Sequence, residues 1–256
     1  MSNYLGRHAG LYDIFYADKP YRKEAEFVAK MLETYNVPGK KMLEIACGTG
    51  SHAVIFAELG WEVTAIDYSP DMVRRAREKA RYSSKIHFIE GDMRHIGDMP
   101  ELHGQTFDAA VCLFDSIGYT LTNEGVASTI SGIGNILKTG SVFCCEYWHA
   151  AAMLCDYSPV RVRRWHTSQG EIIRISETAL DASTQTAEIS FDILELGTEG
   201  SFSRLKETQK NRFFSVREMD YFLETGGLKV LSRHDGFSDS LRISDNTWHI
   251  VCFSQK

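Results

Sequence analysis

Apolar side chains recur along this chain in two rhythms, and the change of rhythm divides it. From residue 20 to about 152, helical spacing alternates with short continuous apolar runs. Pro20 suits a first helical position, and Ala25, Val28, Met31, Leu32 and Tyr35 then line one helix face until Val37-Pro38-Gly39 stops it. Met42 to Ala46 reads as a strand, Ala53 to Leu59 as a helix closed by Gly60, and Trp61 to Ile66 as a second strand. A helix over Met72 to Ala80 and a strand over Ile86 to Ile89 follow. Phe107 to Phe114 is apolar almost throughout, as a strand covered on both faces should be. A helix over Gly125 to Leu137 leads into a fifth strand, Ser141 to Tyr147. Strands separated in this way by helices predict right-handed crossovers and a parallel sheet.

Beyond residue 158 the period shortens to two. Ala187, Ile189, Phe191 and Ile193 alternate with Glu188, Ser190 and Asp192, the mark of a half-buried antiparallel strand. Ile172 to Ile175 and Thr208 to Phe214 read as its neighbours, with turns at Asp181-Ala182-Ser183 and Gly197 to Gly200. Ser215 with Glu218 forms a capping box that opens a helix ended by Gly226-Gly227, and Leu228 to Leu231 and Thr247 to Phe253 are the last strands. The organisation expected is therefore 1–37 as an N-terminal lid and helix, 38–157 as an α/β core, 158–214 as an antiparallel insert, and 215–256 completing the core with an edge hairpin.

Composition narrows the class without changing this picture. In 256 residues there are 28 basic and 34 acidic side chains, a formal charge of −6, which argues against nucleic acid as a partner. No apolar run approaches the ~20 residues of a membrane span, and MSNYLGRHAG lacks the apolar core of a signal peptide. The six cysteines show no CxxC spacing and mostly sit in apolar runs, so they read as reduced, buried thiols of a cytoplasmic protein.

The chemistry concentrates after the first strand. In Leu43-Glu44-Ile45-Ala46-Cys47-Gly48-Thr49-Gly50-Ser51-His52-Ala53, Gly48, Gly50 and Ala53 fit the strand–turn–helix pattern G-x-G-x-x-G/A, which lets a ligand approach the backbone. Such a turn alone is often only a tight turn. The next strand, however, ends in Asp67, where a carboxylate accepts both hydroxyls of a ribose, and the third ends in Gly91-Asp92-Met93, a second carboxylate on the same edge. These features also serve nicotinamide dinucleotides. Glu44 disfavours that reading, because a carboxylate beside the loop repels a pyrophosphate and attracts a cofactor bearing an ammonium and a sulfonium.

With these residues in view, the chain resembles the class I S-adenosylmethionine-dependent methyltransferases: LEIACGTG, VTAIDYSPDM, IHFIEGDMR and FDAAVCLFDSIGY match four successive motifs of that family in order. The resemblance implies a Rossmann-like, doubly wound α/β fold, a seven-stranded and mostly parallel sheet with the antiparallel insert after its fifth strand. It implies S-adenosyl-L-methionine as cofactor and S-adenosyl-L-homocysteine as product. Ala46, Gly48 and Gly50 would meet the methionine part through the backbone, Asp67 the ribose, Tyr68 and Met72 the two sides of the adenine, Asp92 and Met93 its edge, and Leu113 the methionine portion. Tyr21 of the aromatic N-terminal segment joins this set. For Met72, Met93 and Leu113 the alternative is ordinary core packing.

The acceptor is less sharply marked. The chain lacks the D/N-P-P-Y/F/W turn of enzymes that methylate nucleic-acid bases, and no His/Asp/Glu cluster has metal-ligand spacing, so no metal is expected. The aromatic lid Leu11 to Tyr16, with Lys19-Pro20-Tyr21, ACGTG, GDMR and Ser116-Ile117-Gly118-Tyr119, is similar to the bacterial N-methyltransferases of nucleotide-linked amino sugars and to glycine-methylating enzymes. That similarity implies a small-molecule amine acceptor. Tyr119 would orient or deprotonate the amine and Tyr12 would orient it from the lid, against the alternative that both rings merely pack. Methylation of a hydroxyl would call for a stronger base, for which His149 and His95 are available. Arg161, Arg163, Arg164 and His166 are either a phosphate or carboxylate receiver or a solvated strand face, and the insert's strands suit an acceptor lobe or a homodimer interface equally. A small-metabolite O-methyltransferase and a cofactor-binding module without turnover are the alternatives.

Overall fold

The computed structural model describes residues 6–198 and 200–256. Helices α1 (Gly6–Phe15) and α2 (Tyr21–Thr34) precede strand β1 (Lys41–Ile45). Then come α3 (Ser51–Glu58), β2 (Glu62–Asp67), α4 (Pro70–Lys79), β3 (Ile86–Glu90), β4 (Phe107–Cys112), α5 (Asn123–Ile136) and β5 (Leu137–Trp148). A short helix α6 (Ala150–Cys155) leads to β6 (Val160–Thr167), β7 (Gly170–Asp181), β8 (Thr186–Gly197) and β9 (Phe202–Arg212). Helix α7 (Val216–Thr225) and strands β10 (Lys229–Asp235) and β11 (His249–Gln255) follow.

Seven strands form one sheet in the order β10-β11-β5-β4-β1-β2-β3. β1 to β5 pair in parallel, whereas β11 runs antiparallel to β5 and β10. This is the mostly parallel, Rossmann-like sheet that the alternation of apolar runs and helical spacings predicts. Strand order reverses between β1 and β4, and the carboxyl edge beside that reversal is where such sheets open a crevice. The even apolarity of β4 has a direct cause: Ala109 and Val111 pack under α2, α3 and α4, while Ala110 and Cys112 pack under α5 and α7. Among the described residues no helix is long and apolar enough to cross a membrane.

The second sheet, β6-β7-β8-β9, is wholly antiparallel. Its strands are longer than the sequence reading allows, because β7 and β8 stay in register from Gly170–Gly197 to Asp181–Thr186. The basic stretch from Arg161 to His166 is itself a strand, β6, paired along its length with β7.

Two further departures bear on the site. β4 ends at Cys112, short of the predicted Phe114, because Phe114 and Asp115 both adopt left-handed backbone (φ 58° and 56°) that breaks the pleat. The aromatic N-terminal segment is a helix, α1, that touches the second sheet on one side and helix α4 on the other. Its Leu11 and Phe15 pack on Ile172, Phe191 and Ile193 of the second sheet, and its Ala9 and Tyr12 pack on Met72 of α4. Arg7 pairs with Glu195 and His8 with Glu207 on one side. On the other, Lys79 Nζ donates to Asp13 (2.9 Å), Thr49 (2.9 Å) and Ser51 (2.8 Å).

Candidate active site

A cavity of about 1160 Å³ opens between the carboxyl edge of the first sheet, α1 and the inner face of the second sheet. Its floor on one side is the glycine loop. Ala46, Gly48 and Gly50 all take left-handed backbone (φ 56°, 56° and 74°), which turns the chain sharply from β1 into α3. A side chain on Gly50 would meet the Phe88 ring at 2.9 Å, and one on Gly48 would meet Tyr12 Oη at 3.8 Å, so the loop is packed behind and roofed by α1.

Asp67, at the tip of β2, accepts from the Gly48 N–H (2.7 Å) and the Ser69 N–H (2.9 Å). Burial pushes its carboxyl up to about 6, against those two donors. Ser69 caps α4 through the Met72 N–H, which sets Asp67 and Tyr68 at the head of that helix. Tyr68 is exposed at the rim, whereas Met72 is buried against α1. Asp92 caps the 3-10 turn Met93–Asp98, and burial, which acts to raise its carboxyl, is outweighed by Arg94, so it lies below its usual value. Asp67, Tyr68, Met72, Asp92 and Met93 therefore line one stretch of the cavity.

Glu44 lies behind the loop, buried on β1. Burial first, and Asp67 second, push its carboxyl up to about 8, and Oε2 has no hydrogen-bond partner. It lines a small side pocket with Ala46, Leu113, Tyr12 and Tyr21, so the structure brings these five predicted residues together. Leu113 is also core, packed with the α2–α3 layer. Burial raises the Tyr12 and Tyr21 phenols, Tyr12 well above its usual value, so neither ionises near neutrality. Beside them Lys19, which the sequence marks only as part of the Lys19-Pro20-Tyr21 motif, pairs with Glu24 and lies 4.6 Å from the Phe114 ring centre.

Tyr119, in the 3-10 turn Ser116–Thr120, lines the far part of the cavity and donates to Gln209 Oε1 (3.4 Å). Arg161, Arg163 and Arg164 line it too, joined by Arg174 from β7; His166 does not. Arg174 is enclosed by Phe15, Tyr16, Trp165 and Phe191, and its Nε and Nη1 lack hydrogen-bond partners. The histidines expected as bases are elsewhere: His149 Nδ1 is held by the Thr247 carbonyl (3.1 Å) and His95 is exposed beside Asp98. The histidine that does reach the cavity is His249. Asp115 first among its neighbours, with Glu146, pushes its imidazole up to about 11, and burial in turn lifts Asp115 to about 6. No local spacing could have signalled this group, since His249 lies 134 positions from Asp115.

Residues 42–140 match the family model described as a methyltransferase domain. The chain is 28% identical over 233 residues to the putative methyltransferase YqeM of Bacillus subtilis, covering 91% of this chain and 89% of that one. It is 27% identical over 228 residues to the dTDP-3-amino-3,4,6-trideoxy-alpha-D-glucopyranose N,N-dimethyltransferase of Streptomyces venezuelae, covering 87% and 90%. Among solved structures, an S-adenosylmethionine-dependent methyltransferase from Clostridium acetobutylicum superposes with a TM-score of 0.82 over 97% of both chains at 20% identity, which establishes likeness of fold.

Proposed function

We propose that the chain, a class I S-adenosylmethionine-dependent methyltransferase, methylates the amine of a small, anionic acceptor of the amino-sugar kind. The observation that carries this reading is the continuity of one cavity, from the glycine loop and its acidic edge to a wall of Arg161, Arg163, Arg164 and Arg174. A cavity of that size takes a cofactor and a conjugated sugar side by side, and guanidinium groups favour phosphate or carboxylate on the acceptor. The amino-sugar dimethyltransferase relative supports the amine.

The cofactor fits the residues present. The unpartnered, buried Glu44 oxygen beside the side pocket suits a positively charged group. In this reading Glu44, Tyr21, Leu113 and the loop backbone at Ala46, Gly48 and Gly50 hold the methionine end. Asp67 holds the ribose, Tyr68 and Met72 flank the adenine, and Asp92 and Met93 meet its edge. When bound, the cofactor supplies a methyl group already activated by a positively charged sulfur. The chain's own work is to place a neutral amine in line with it and to exclude water. Tyr12 orients the amine by hydrogen bonding, because its buried phenol keeps its proton. Tyr119 orients the amine from the opposite side and handles its proton.

Calorimetric titration with S-adenosylmethionine, S-adenosylhomocysteine and NAD tests the cofactor reading: micromolar binding of the first two and none of the third is expected. Methyl transfer to thymidine-diphosphate amino sugars, followed by mass spectrometry beside their hydroxyl analogues, tests the acceptor. Transfer to the hydroxyl analogues alone would replace the amine reading with O-methylation.

A further inference from the structure

Three donor side chains that the reading above leaves unused meet at the cavity wall. Asp115 stands on the left-handed turn after β4, Glu146 on β5 and His249 at the start of β11, and one donor atom of each lies within 4.8 Å of the others. His249 Nδ1 is 3.1 and 3.2 Å from the two Asp115 oxygens and 3.2 Å from Glu146 Oε1. One ring nitrogen has a single hydrogen to give, and a charge-assisted bond from it to a carboxylate normally measures about 2.7–2.9 Å. Near-equal, longer approaches to both carboxylates match one shared proton poorly. They match two edges of a coordination shell, since donors bound at about 2.0–2.2 Å to one ion stand roughly 3.0–3.5 Å apart, and the third pair of donors also lies within 4.8 Å.

We propose that Asp115, Glu146 and His249 bind one divalent transition-metal ion of the zinc class, which replaces the proton on His249 Nδ1 and releases it to solvent. One nitrogen and two carboxylates suit zinc, manganese, iron(II) or cobalt, and supply too few oxygens for calcium. The surroundings hold the donors in place. Glu146 Oε2 accepts from the Phe114 N–H (2.5 Å), which leaves Oε1 to the ion, and Asn211 Nδ2 donates to the Asp115 carbonyl (3.3 Å), which fixes the turn. Both carboxylates are almost fully buried, at 3% and 4% side-chain exposure, and an adjacent cation offsets that burial. The His249 ring is half-exposed and lines the cavity, so an ion with these three ligands keeps a position open toward the acceptor. There it would hold an oxygen or a neutral nitrogen of the acceptor. The assignment does not depend on which acceptor is methylated.

The test uses the full chain, freed of metal by chelation and titrated calorimetrically with zinc, manganese and magnesium chlorides. One equivalent of zinc or manganese should bind in the micromolar range or tighter, with magnesium far weaker. His249→Ala and Asp115→Asn should each weaken binding by roughly 100-fold while S-adenosylmethionine affinity stays within about threefold, which also reports a folded chain. If either variant fails to fold, cobalt(II) bound to the unaltered chain decides. A visible d–d band saturating at one equivalent, and abolished by zinc, supports the site. Absence of saturable binding or of that band, unchanged affinity in His249→Ala, or magnesium binding as well as zinc would overturn it.

Discussion

At the tip of β2 the Asp67 carboxylate accepts two backbone N–H groups and still faces the cavity, so it is aimed before any ligand arrives. Asp67→Ala should weaken S-adenosylmethionine binding by about 1–3 kcal/mol, measured calorimetrically, through lost charge-assisted hydrogen bonds. Glu44 makes the pH dependence explicit. Its folded carboxyl stands near 8, raised by burial, so the ligand-free chain holds a proton there at neutrality. A raised carboxyl contributes stability that is present below its unfolded value and lost as pH rises through 8. A cationic cofactor favours the ionised form, so its binding expels that proton and its affinity should rise as pH climbs from about 6.5 toward 8, levelling above. Glu44→Gln should flatten this rise in a pH series of titrations. Tyr119→Phe should lower turnover by roughly 10²-fold or more with cofactor affinity unchanged; full turnover would leave its ring a packing role only. Asp67, Asp92 and Glu44 were legible in the sequence because each sits a fixed step from a glycine or a strand end. His249 was not, because only the pairing of β11 with β5 brings it beside Glu146 and Asp115.

Elements with local start and stop signals were read well. The Ser215–Glu218 capping box is present, with both reciprocal hydrogen bonds, and Gly226 and Gly227 follow the end of α7. Ser215→Ala should cost about 1 kcal/mol of stability in chemical denaturation, because it orphans a donor at the first turn. The end of β4 departs from its apolar pattern: Leu113 and Phe114 continue the run, but at Phe114 the backbone turns left-handed without a glycine. The Glu146 side chain, accepting the Phe114 N–H, supplies a partner for that turn from a neighbouring strand, and such support leaves no local trace. α1 carries no helical signature in the sequence for a related reason. Its apolar residues face two surfaces, Leu11 and Phe15 toward one sheet and Ala9 and Tyr12 toward α4, so they do not form a single stripe.

In the whole molecule the acidic edge of the cavity is legible in the sequence, and its basic wall only in part: Arg161, Arg163 and Arg164 stand out as a cluster, but Arg174 and the facing of the two sheets do not. The first arises from consecutive strand tips of one sheet, whereas the second requires β6 and β7 to face that edge across open space. The N-terminal helix spans this space, held to the glycine loop and α4 through Asp13, Thr49 and Lys79 and to the second sheet through Glu195 and Glu207. A brace fastened at both ends imposes a sequence in time. In the proposed arrangement, with Tyr12 above Gly48, the donor would be seated before the brace settles, and only a settled brace would present a finished wall to the acceptor. Kinetics should therefore be ordered: the donor enters first and the demethylated product leaves last. S-adenosylhomocysteine should then inhibit competitively against S-adenosylmethionine and noncompetitively against the acceptor. Lys79→Ala, which loosens one end while the Thr49–Asp13 hydrogen bond remains, should blur that order toward random entry.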